Sequence, residues 1–181
     1  MLPGFDEVLA AARNGSGPAF EILYRDLVRP VAAYLRTRGA RDVEDLTNEV
    51  FLQVFTGLRR FRGSEPQFRS WVFTIAHRRA VDDWRRRARE SVVEPVAEVD
   101  GSPVGSAEDV ALTGMGVEQV LAVLGRLTDE QRDVLTLRVV ADLTVEQVAE
   151  VLGKNTGAVK ALQRRGLAAV RRVISREGVP L

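Results

Sequence analysis

The chain has 181 residues, which is enough for one or two domains with small cores, and its formal net charge is only +1. It contains no cysteine, which excludes a disulfide framework, a thiolate nucleophile and cysteine-based zinc sites. It also lacks a signal peptide and any run of about 18 apolar residues, so we expect a cytoplasmic protein without membrane insertion.

The small net charge hides a strong segregation of the two signs. Residues 59–90 carry ten Arg and four acids, whereas residues 91–113 carry five acids and no base. Arg supplies 24 of the 26 basic residues, which suits phosphate and base-edge contacts but would also result from a GC-rich genome. Local charged surfaces, and not the overall charge, are therefore informative here.

Residues 5–88 have the pattern of successive helices, with breaks at residues 15–18, 39–42 and 63–66. No segment keeps the alternation of a strand. The sequence predicts an all-α protein made of two small helical domains, the first of which covers residues 1–88.

The segment VEDLTNEVFLQVF, residues 43–55, places Asp45, Asn48 and Glu49 on helical turns beside Phe51. An acidic and amide edge next to an exposed Phe51 could dock on a basic helix of a partner. An ordinary soluble helix has the same pattern, so spacing alone leaves both interpretations open.

The segment FRGSEPQFRSWVFTIAHRRAVDDWRRR, residues 61–87, predicts a helix that packs by one edge. Its inward residues recur at helical spacing: Phe68, Trp71, Val72, Ile75 and Ala76. Four others point elsewhere, so that this side could follow a phosphate backbone: Ser70, Thr74, His77 and Arg78. Trp71 and Trp84 are either core residues or platforms for unstacked bases.

An enzymatic function is not supported by the sequence. His77 is the only histidine, and neither a P-loop nor a GxGxxG pattern is present. Asp82 and Asp83 are adjacent, so a helix points them to different sides and they make a poor acid and base pair. We expect no catalytic residue, no metal site and no cofactor.

Residues 89–115 combine the acidic excess with proline and glycine, which predicts a flexible linker. These 27 residues can extend to about 90 Å, more than two turns of DNA at about 34 Å each. Helical periodicity returns afterwards, with Thr128 and Gln131 in the pattern of a capping box. The second domain is therefore predicted to cover residues 116–181.

The segment VEQVAEVLGKNTGAVKALQRRGLAAVRR, residues 145–172, predicts two helices about a tight turn. Thr144 and Gln147 form a capping box, Gly153 breaks the first helix, and Asn155 or Thr156 can cap the second. The second helix has an inward stripe of Val159, Leu162, Gly166, Val170 and Val173. This is the geometry of a helix-turn-helix.

The opposite face of the second helix is basic. At about 100° per residue it carries Lys160, Ala161, Arg164, Arg165, Arg171 and Arg172. Residues 154–176 hold seven Lys or Arg and no acid, whereas solvated faces usually mix the two signs. DNA binding is therefore favoured over a merely solvated helix.

The chain resembles the extracytoplasmic-function (ECF) sigma factors of bacterial RNA polymerase over nearly its full length. AFEILYRDLVRPVAAYL is similar to the first helices of region 2 of this family, VEDLTNEVFLQVF to its polymerase-binding helix and FRSWVFTIAHRRAVDDWRRR to its promoter-reading helix. LGRLTDEQRDVLTLRVVADLTVEQVAEVLGKNTGAVKALQRR is similar to region 4. Four such segments in the right order around an acidic linker are a strong signal.

The resemblance implies two partners, core RNA polymerase and promoter DNA. It implies that one set docks on the clamp helices of the largest catalytic subunit: Asp45, Asn48, Glu49 and Phe51. It implies that a loop captures a flipped base of the minus-ten element: Gly63, Ser64, Glu65, Pro66 and Gln67. It implies that Arg78, Arg79 and their neighbours read adjacent positions of the minus-ten element. It also implies that four residues of region 4 meet the minus-thirty-five element: Lys160, Ala161, Arg164 and Arg165.

Three residues depart from the pattern of the family. Asn48 replaces a common Gln, Asp142 a frequent Gly, and Gly166 a frequent Ala, the last at a cost of about 1 kcal/mol unless a close helix contact needs it. Ala161 cannot hydrogen-bond a base, which leaves the preferred promoter sequence open.

The regulator implied by the resemblance is a separate anti-sigma protein, because the chain stops soon after region 4. The main alternative function is a free-standing helix-turn-helix repressor or activator. Such a protein needs a dimerisation or ligand domain in place of the first domain seen here.

Overall fold

The computed structural model of the protein describes residues 2–93 and 117–177, and both parts are helical. The first part contains four helices, α1 (Phe5–Arg13), α2 (Gly17–Thr37), α3 (Val43–Gly57) and α4 (Glu65–Val93). The second part contains α5 (Val117–Gly125), α6 (Asp129–Val139), α7 (Val145–Leu152) and α8 (Thr156–Glu177). The predicted all-α class is confirmed, and none of the described helices could span a membrane.

Short polar side chains set where several helices begin. The Ser16, Asp42 and Thr128 side chains accept backbone N–H groups three residues further on, at α2, α3 and α6. Each satisfies one of the donors that a helix N-terminus leaves without a partner. Of the capping box predicted at Thr128 and Gln131, the structure has one hydrogen bond, from the Gln131 N–H to the Thr128 hydroxyl at 3.4 Å.

The helix α4 begins earlier and ends later than expected. It starts at Glu65, so that only the first two residues of the predicted 63–67 loop precede it, and it runs through Val93. The Gln67 side chain accepts the Ser64 N–H at 2.8 Å, which caps the first turn. The linker predicted to start at residue 89 is thus helical at its beginning, and its remainder, residues 94–115, lies outside the described residues.

The two domains share one continuous apolar core. In the first domain α2 packs against α1, α3 and α4, and in the second α6, α7 and α8 pack on one another. The helix α7 also lies against α4, and α6 contacts α2, so the domains touch directly. Buried side chains from both sides belong to the same cluster, among them Tyr34, Phe73, Leu137, Val148 and Val159.

Candidate nucleic-acid interface

The helices α7 and α8 form the helix-turn-helix predicted from the sequence. Thr144 and Gln147 make both hydrogen bonds of a capping box, at 2.8 Å and 3.2 Å. Gly153 ends α7 with a φ of 62°, a left-handed conformation that favours glycine. Asn155 caps α8 by accepting the Ala158 N–H at 2.8 Å, which decides between the two predicted caps.

The two faces of α8 are confirmed. Val159, Leu162 and Gly166 are buried, and Val170 and Val173 are half-buried. Five basic residues on the other side are exposed: Lys160, Arg164, Arg165, Arg171 and Arg172.

The exposed face of α8 is not uniformly polar. A groove of about 420 Å³ contains Leu167, which is 41% exposed, between Lys160, Arg164 and Arg171. The half-buried Ala161 belongs to the same helical turns and adds no polar group. A basic face with one apolar side chain at its centre can contact phosphates, base edges and the thymine methyl group.

Gly166 is needed for the close packing of α8 on α6. A Cβ atom at this position would lie 3.0 Å from Leu135 Cδ1 and 3.2 Å from Leu135 Cγ. Its difference from the family pattern therefore has a structural reason, because the closeness of the two helices offsets the poor helix propensity of glycine.

Asp142, the other departure in this domain, takes a φ of 52° just before α7. This left-handed conformation is unfavourable for most residues, and Asp and Asn adopt it more readily than the others. The backbone at this position explains why a glycine would suit it.

Lys154 belongs to the basic run but is engaged within the domain. Its Nζ lies 2.5 Å from Glu130 Oε1, and this hydrogen bond lowers the pKa of Glu130. The ion pair joins the turn of the helix-turn-helix to α6. Lys160, Arg164 and Arg165 are better placed than Lys154 for DNA, because they lie on the exposed face.

The polar residues of the acidic edge of α3 reach the surface as predicted, but its aromatic residue does not. Asp45 and Asn48 are exposed, and Glu49 is half-buried, so all three reach the surface. The predicted exposure of Phe51 is wrong, because its ring is 5% exposed and packs edge-on against Tyr24 at 4.7 Å between centroids. The helix α3 lies beside both α2 and α4, so it buries a wider arc than one face and includes residue 51.

Two apolar side chains on α3 were missed by the sequence reasoning. Leu52 is 65% exposed and Phe55 54% exposed, and the Phe55 ring packs edge-on against Phe20 at 5.1 Å. Leu52 follows Asp45 and Asn48 at i+7 and i+4, the spacing of one helix face. That spacing was the available signal for placing Leu52, in preference to Phe51, beside the acidic edge.

Arg78 and Arg79 have different surroundings. Arg78 is exposed, as a residue that contacts a nucleic acid must be. The Arg79 guanidinium faces α3, where it lies 3.3 Å from Glu49 Oε2 and 3.3 Å from Gln53 Oε1. Arg79 therefore links the acidic edge of α3 to α4, and it can reach a phosphate only if these contacts loosen.

The loop before α4 is tightly packed. A Cβ on Gly63 would lie 2.8 Å from Gln67 Oε1 and 2.9 Å from the Phe61 ring. Phe61 stacks on the half-buried Trp71 at 5.0 Å between centroids, with 23° between the rings. The aromatic pair packs beneath the loop and supports it. Trp84, the other tryptophan that the sequence left as either a core residue or a base platform, is 57% exposed.

The basic end of α4 is balanced by its own acids. Arg85 lies 3.9 Å from Asp82, and Arg86 and Arg87 each lie 3.0 Å from Asp83. Asp82 and Asp83 therefore act as partners of arginines on the same helix. These pairs lower the positive charge that this side of α4 can offer to a phosphate backbone.

Two family models match the chain, each over one domain. Sigma-70 region 2 matches residues 23–90, and Sigma-70, region 4 matches residues 123–172. The two matches cover both domains, with region 2 before region 4, which is the order that the resemblance implies.

Among curated proteins the chain is similar to the ECF RNA polymerase sigma factors BldN of Streptomyces coelicolor and SigK of Mycolicibacterium vanbaalenii. Identity to BldN is 31% over 93% of this chain and 65% of that protein. Identity to SigK is 33% over 93% of this chain and 88% of that protein.

Solved structures support the fold. CnrH, in complex with the cytosolic domain of CnrY, gives a TM-score of 0.67 at 24% identity, over 93% of this chain and 96% of that one. The sigma factor RpoE of Bartonella quintana, in complex with the anti-sigma factor NepR, gives 0.70 at 18% identity, over 86% and 96%.

Proposed function

Because the chain belongs to the ECF RNA polymerase sigma factors, we propose that it binds core RNA polymerase and directs initiation at promoters with its own minus-thirty-five and minus-ten elements. One observation carries the proposal. The exposed basic face of α8, which carries no acid, lies in the domain that matches region 4, and the loop and helix α4 lie in the domain that matches region 2. A free-standing repressor would not require a region 2 domain.

The polymerase contact is proposed for the exposed face of α3. Asp45, Asn48 and Glu49 supply its polar part, and Leu52 supplies an apolar anchor at its centre. A charged edge around an exposed apolar side chain is the usual composition of a protein interface. Phe51 stabilises the position of α3 from the core and makes no direct contact in this proposal.

The DNA contacts are divided between the domains. Lys160, Arg164 and Arg165 would meet the major groove at the minus-thirty-five element, with Ala161 beside them. The 63–67 segment and Arg78 would meet the minus-ten element after the strands separate. Arg79 would act mainly by joining α4 to α3, since Glu49 and Gln53 hold it.

The proposal makes the chain a non-catalytic initiation factor that works in the cytoplasm with the polymerase. Regulation by an anti-sigma protein is part of it, and the fold shared with RpoE of the RpoE–NepR complex supports that part.

The test is a binding assay with purified core RNA polymerase. Reversing Asp45 and Glu49 to Lys should abolish binding, while the exposed Glu21→Lys on α2 serves as a control with the same change of charge sign. Asp45 is exposed, whereas Glu49 is half-buried and paired with Arg79, so circular dichroism must show that the double variant keeps its helices before a loss of binding is assigned to the α3 surface. Unchanged affinity of the double variant would refute the α3 assignment, and no promoter-specific transcription from a genomic library would refute the function.

A further inference from the structure

The exposed face of α8 carries one large apolar side chain, Leu167, which is 41% exposed. Among the described residues of α8 it is the only large apolar side chain that is exposed. The apolar residues of the inner side are covered, since Val159 and Leu162 are buried and Val170 is half-buried. Leu167 therefore lies outside the core of the domain.

A single exposed leucine is common on protein surfaces, so its position is more informative than its presence. Leu167 follows Lys160 by seven residues and Arg164 by three, and Arg171 follows it by four. This spacing places all four side chains on one face of the helix, and they line the same groove. The leucine thus lies within the basic surface that is proposed to enter the major groove, with cations before and after it.

The major groove of DNA offers few places where an apolar side chain can bind. The base edges carry hydrogen-bond donors and acceptors, and the C5 methyl group of thymine is the apolar group among them. A leucine that covers a donor or an acceptor removes water from it and gives no hydrogen bond in return. Contact with a thymine methyl group has no such cost, and it removes apolar surface of both partners from water.

The position of Leu167 along α8 fits a base contact. A helix rises about 1.5 Å per residue, so Leu167 lies about 4.5 Å beyond Arg164 along the axis. Successive base pairs are about 3.4 Å apart, which is a similar distance. Leu167 can therefore face the base pair next to the one that Arg164 contacts.

We propose that Leu167 is a specificity-determining residue that selects thymine in the minus-thirty-five element, through contact of its side chain with the C5 methyl group in the major groove. The selected thymine lies next to the base pair that Arg164 contacts. The proposal rests on the proposed function, since it names a base that the same surface selects. It adds a sequence preference to a helix in which Ala161 cannot hydrogen-bond a base.

The first test uses holoenzyme reconstituted from core RNA polymerase and the full chain, with a promoter library randomised in the minus-thirty-five element. Wild-type holoenzyme should favour thymine at one position or at two adjacent positions. Leu167→Ala should lose that preference and keep the others, because alanine preserves the helix and removes only the apolar contact. Leu167→Met should keep the preference, since methionine is apolar and of similar volume.

A second measurement removes the methyl group from the DNA. In the best wild-type sequence each minus-thirty-five thymine is replaced in turn by deoxyuridine, which keeps the hydrogen-bonding groups and lacks the methyl group. At the position that Leu167 contacts, the affinity of wild-type holoenzyme should fall about fourfold, as expected for one methyl group returned to water. The same replacement should leave the affinity of Leu167→Ala holoenzyme unchanged, which completes a double-mutant cycle between one side chain and one methyl group.

Val139→Ala is the matched control. Val139 is an apolar residue of the same domain, 76% exposed at the end of α6 and outside the basic face of α8. Shortening it should change neither the thymine preference nor the effect of deoxyuridine. Loss of either with Val139→Ala would contradict the proposal, because it would tie them to the stability of the domain and not to Leu167.

Wild-type holoenzyme that is indifferent to deoxyuridine at every minus-thirty-five position would overturn the proposal, and so would an equal loss of affinity with Leu167→Ala. A uniform decrease at all sequences with Leu167→Ala would also overturn it, because the side chain would then contact deoxyribose or a protein partner. Failure of the proposed function would look different. In that case the holoenzyme would select no sequence from the library with any residue at position 167, and both proposals would be wrong.

Discussion

Closure of the two domains, the packing of α6 on α2 and of α7 on α4, should depend on pH with a sign that is set by which of two groups, Asp133 or His77, is removed. Burial raises the pKa of Asp133 from 3.8 to about 6; Asp129 also raises it, and Arg38, the Tyr34 hydrogen bond and Arg132 lower it. Burial lowers the pKa of His77 from 6.5 to about 4, with further lowering by Arg38 and Lys154. When the two domains are apart, Asp133 loses Tyr34 and Arg38 and meets water, so we expect its ordinary pKa. His77 keeps Tyr34 as a neighbour, so its pKa should move only part of the way back.

The size of the effect follows from the Asp133 values. The difference between 3.8 and about 6 corresponds to about 3 kcal/mol of closure free energy. The raised pKa means that Asp133 binds a proton more tightly when the domains are closed. Its stabilisation of the closed form is therefore complete below pH 3.8 and is lost as the pH rises through about 6. The contribution of His77 is present above pH 6.5 and is lost as the pH falls through about 4, and its partial exposure makes it smaller.

The two contributions oppose each other between pH 4 and 6, so the wild-type protein should show a weaker dependence than His77→Gln, in which the Asp133 contribution acts alone. Asp133→Asn keeps an oxygen for Tyr34 and Arg38 but leaves only the His77 contribution, so closure should strengthen as the pH rises. His77→Gln should show the opposite slope. The assay is energy transfer between dyes at Glu21→Cys on α2 and Ser175→Cys on α8 from pH 4 to 7.5, with circular dichroism as the folding control. Parallel profiles for the two variants would refute this reasoning.

Three further predictions concern the second domain. Gly166→Ala should not raise the free energy of unfolding by the roughly 1 kcal/mol expected from helix propensity, because its Cβ would crowd Leu135. In a Leu135→Ala background the same change should stabilise the protein, and denaturant titration can measure both effects. Asp142→Gly should raise the free energy of unfolding by up to about 1 kcal/mol by relieving the left-handed backbone, and an unchanged midpoint would contradict this. Arg164→Ala should change which minus-thirty-five sequences are used, while Arg171→Ala should weaken all of them and flatten the salt dependence, as transcription over a randomised library at two salt concentrations would report.

The helix caps and helix faces of the second domain could be predicted from the sequence. The capping box of Thr144 and Gln147, the αL residue Gly153 and the alternating faces of α8 were all predicted and are all present. They depend on residues no more than a few positions apart, since caps and helix faces arise from hydrogen bonds and periodicity within one segment. The all-α class and the order of the two domains follow from the same kind of signal.

The composition of the α3 surface could be predicted only in part. Asp45 and Asn48 reach the surface as expected, but which neighbouring apolar residue joins them depends on what packs against the helix. Because α2 and α4 both cover α3, Phe51 is buried and Leu52 is exposed. Periodicity within one helix cannot specify how wide an arc its neighbours cover.

The sequence by itself determined the all-α class, the capping box and end of α7, and the basic face of α8, because each of these is stabilised within a short stretch of chain. Only the tertiary structure decided that Arg79 faces Glu49, that Gln147 reaches the Pro66 carbonyl, and that Tyr34 meets Asp133 across 99 positions of sequence. Such contacts depend on how whole helices pack, and no local pattern encodes which distant side chain will be the partner of a buried hydroxyl or guanidinium.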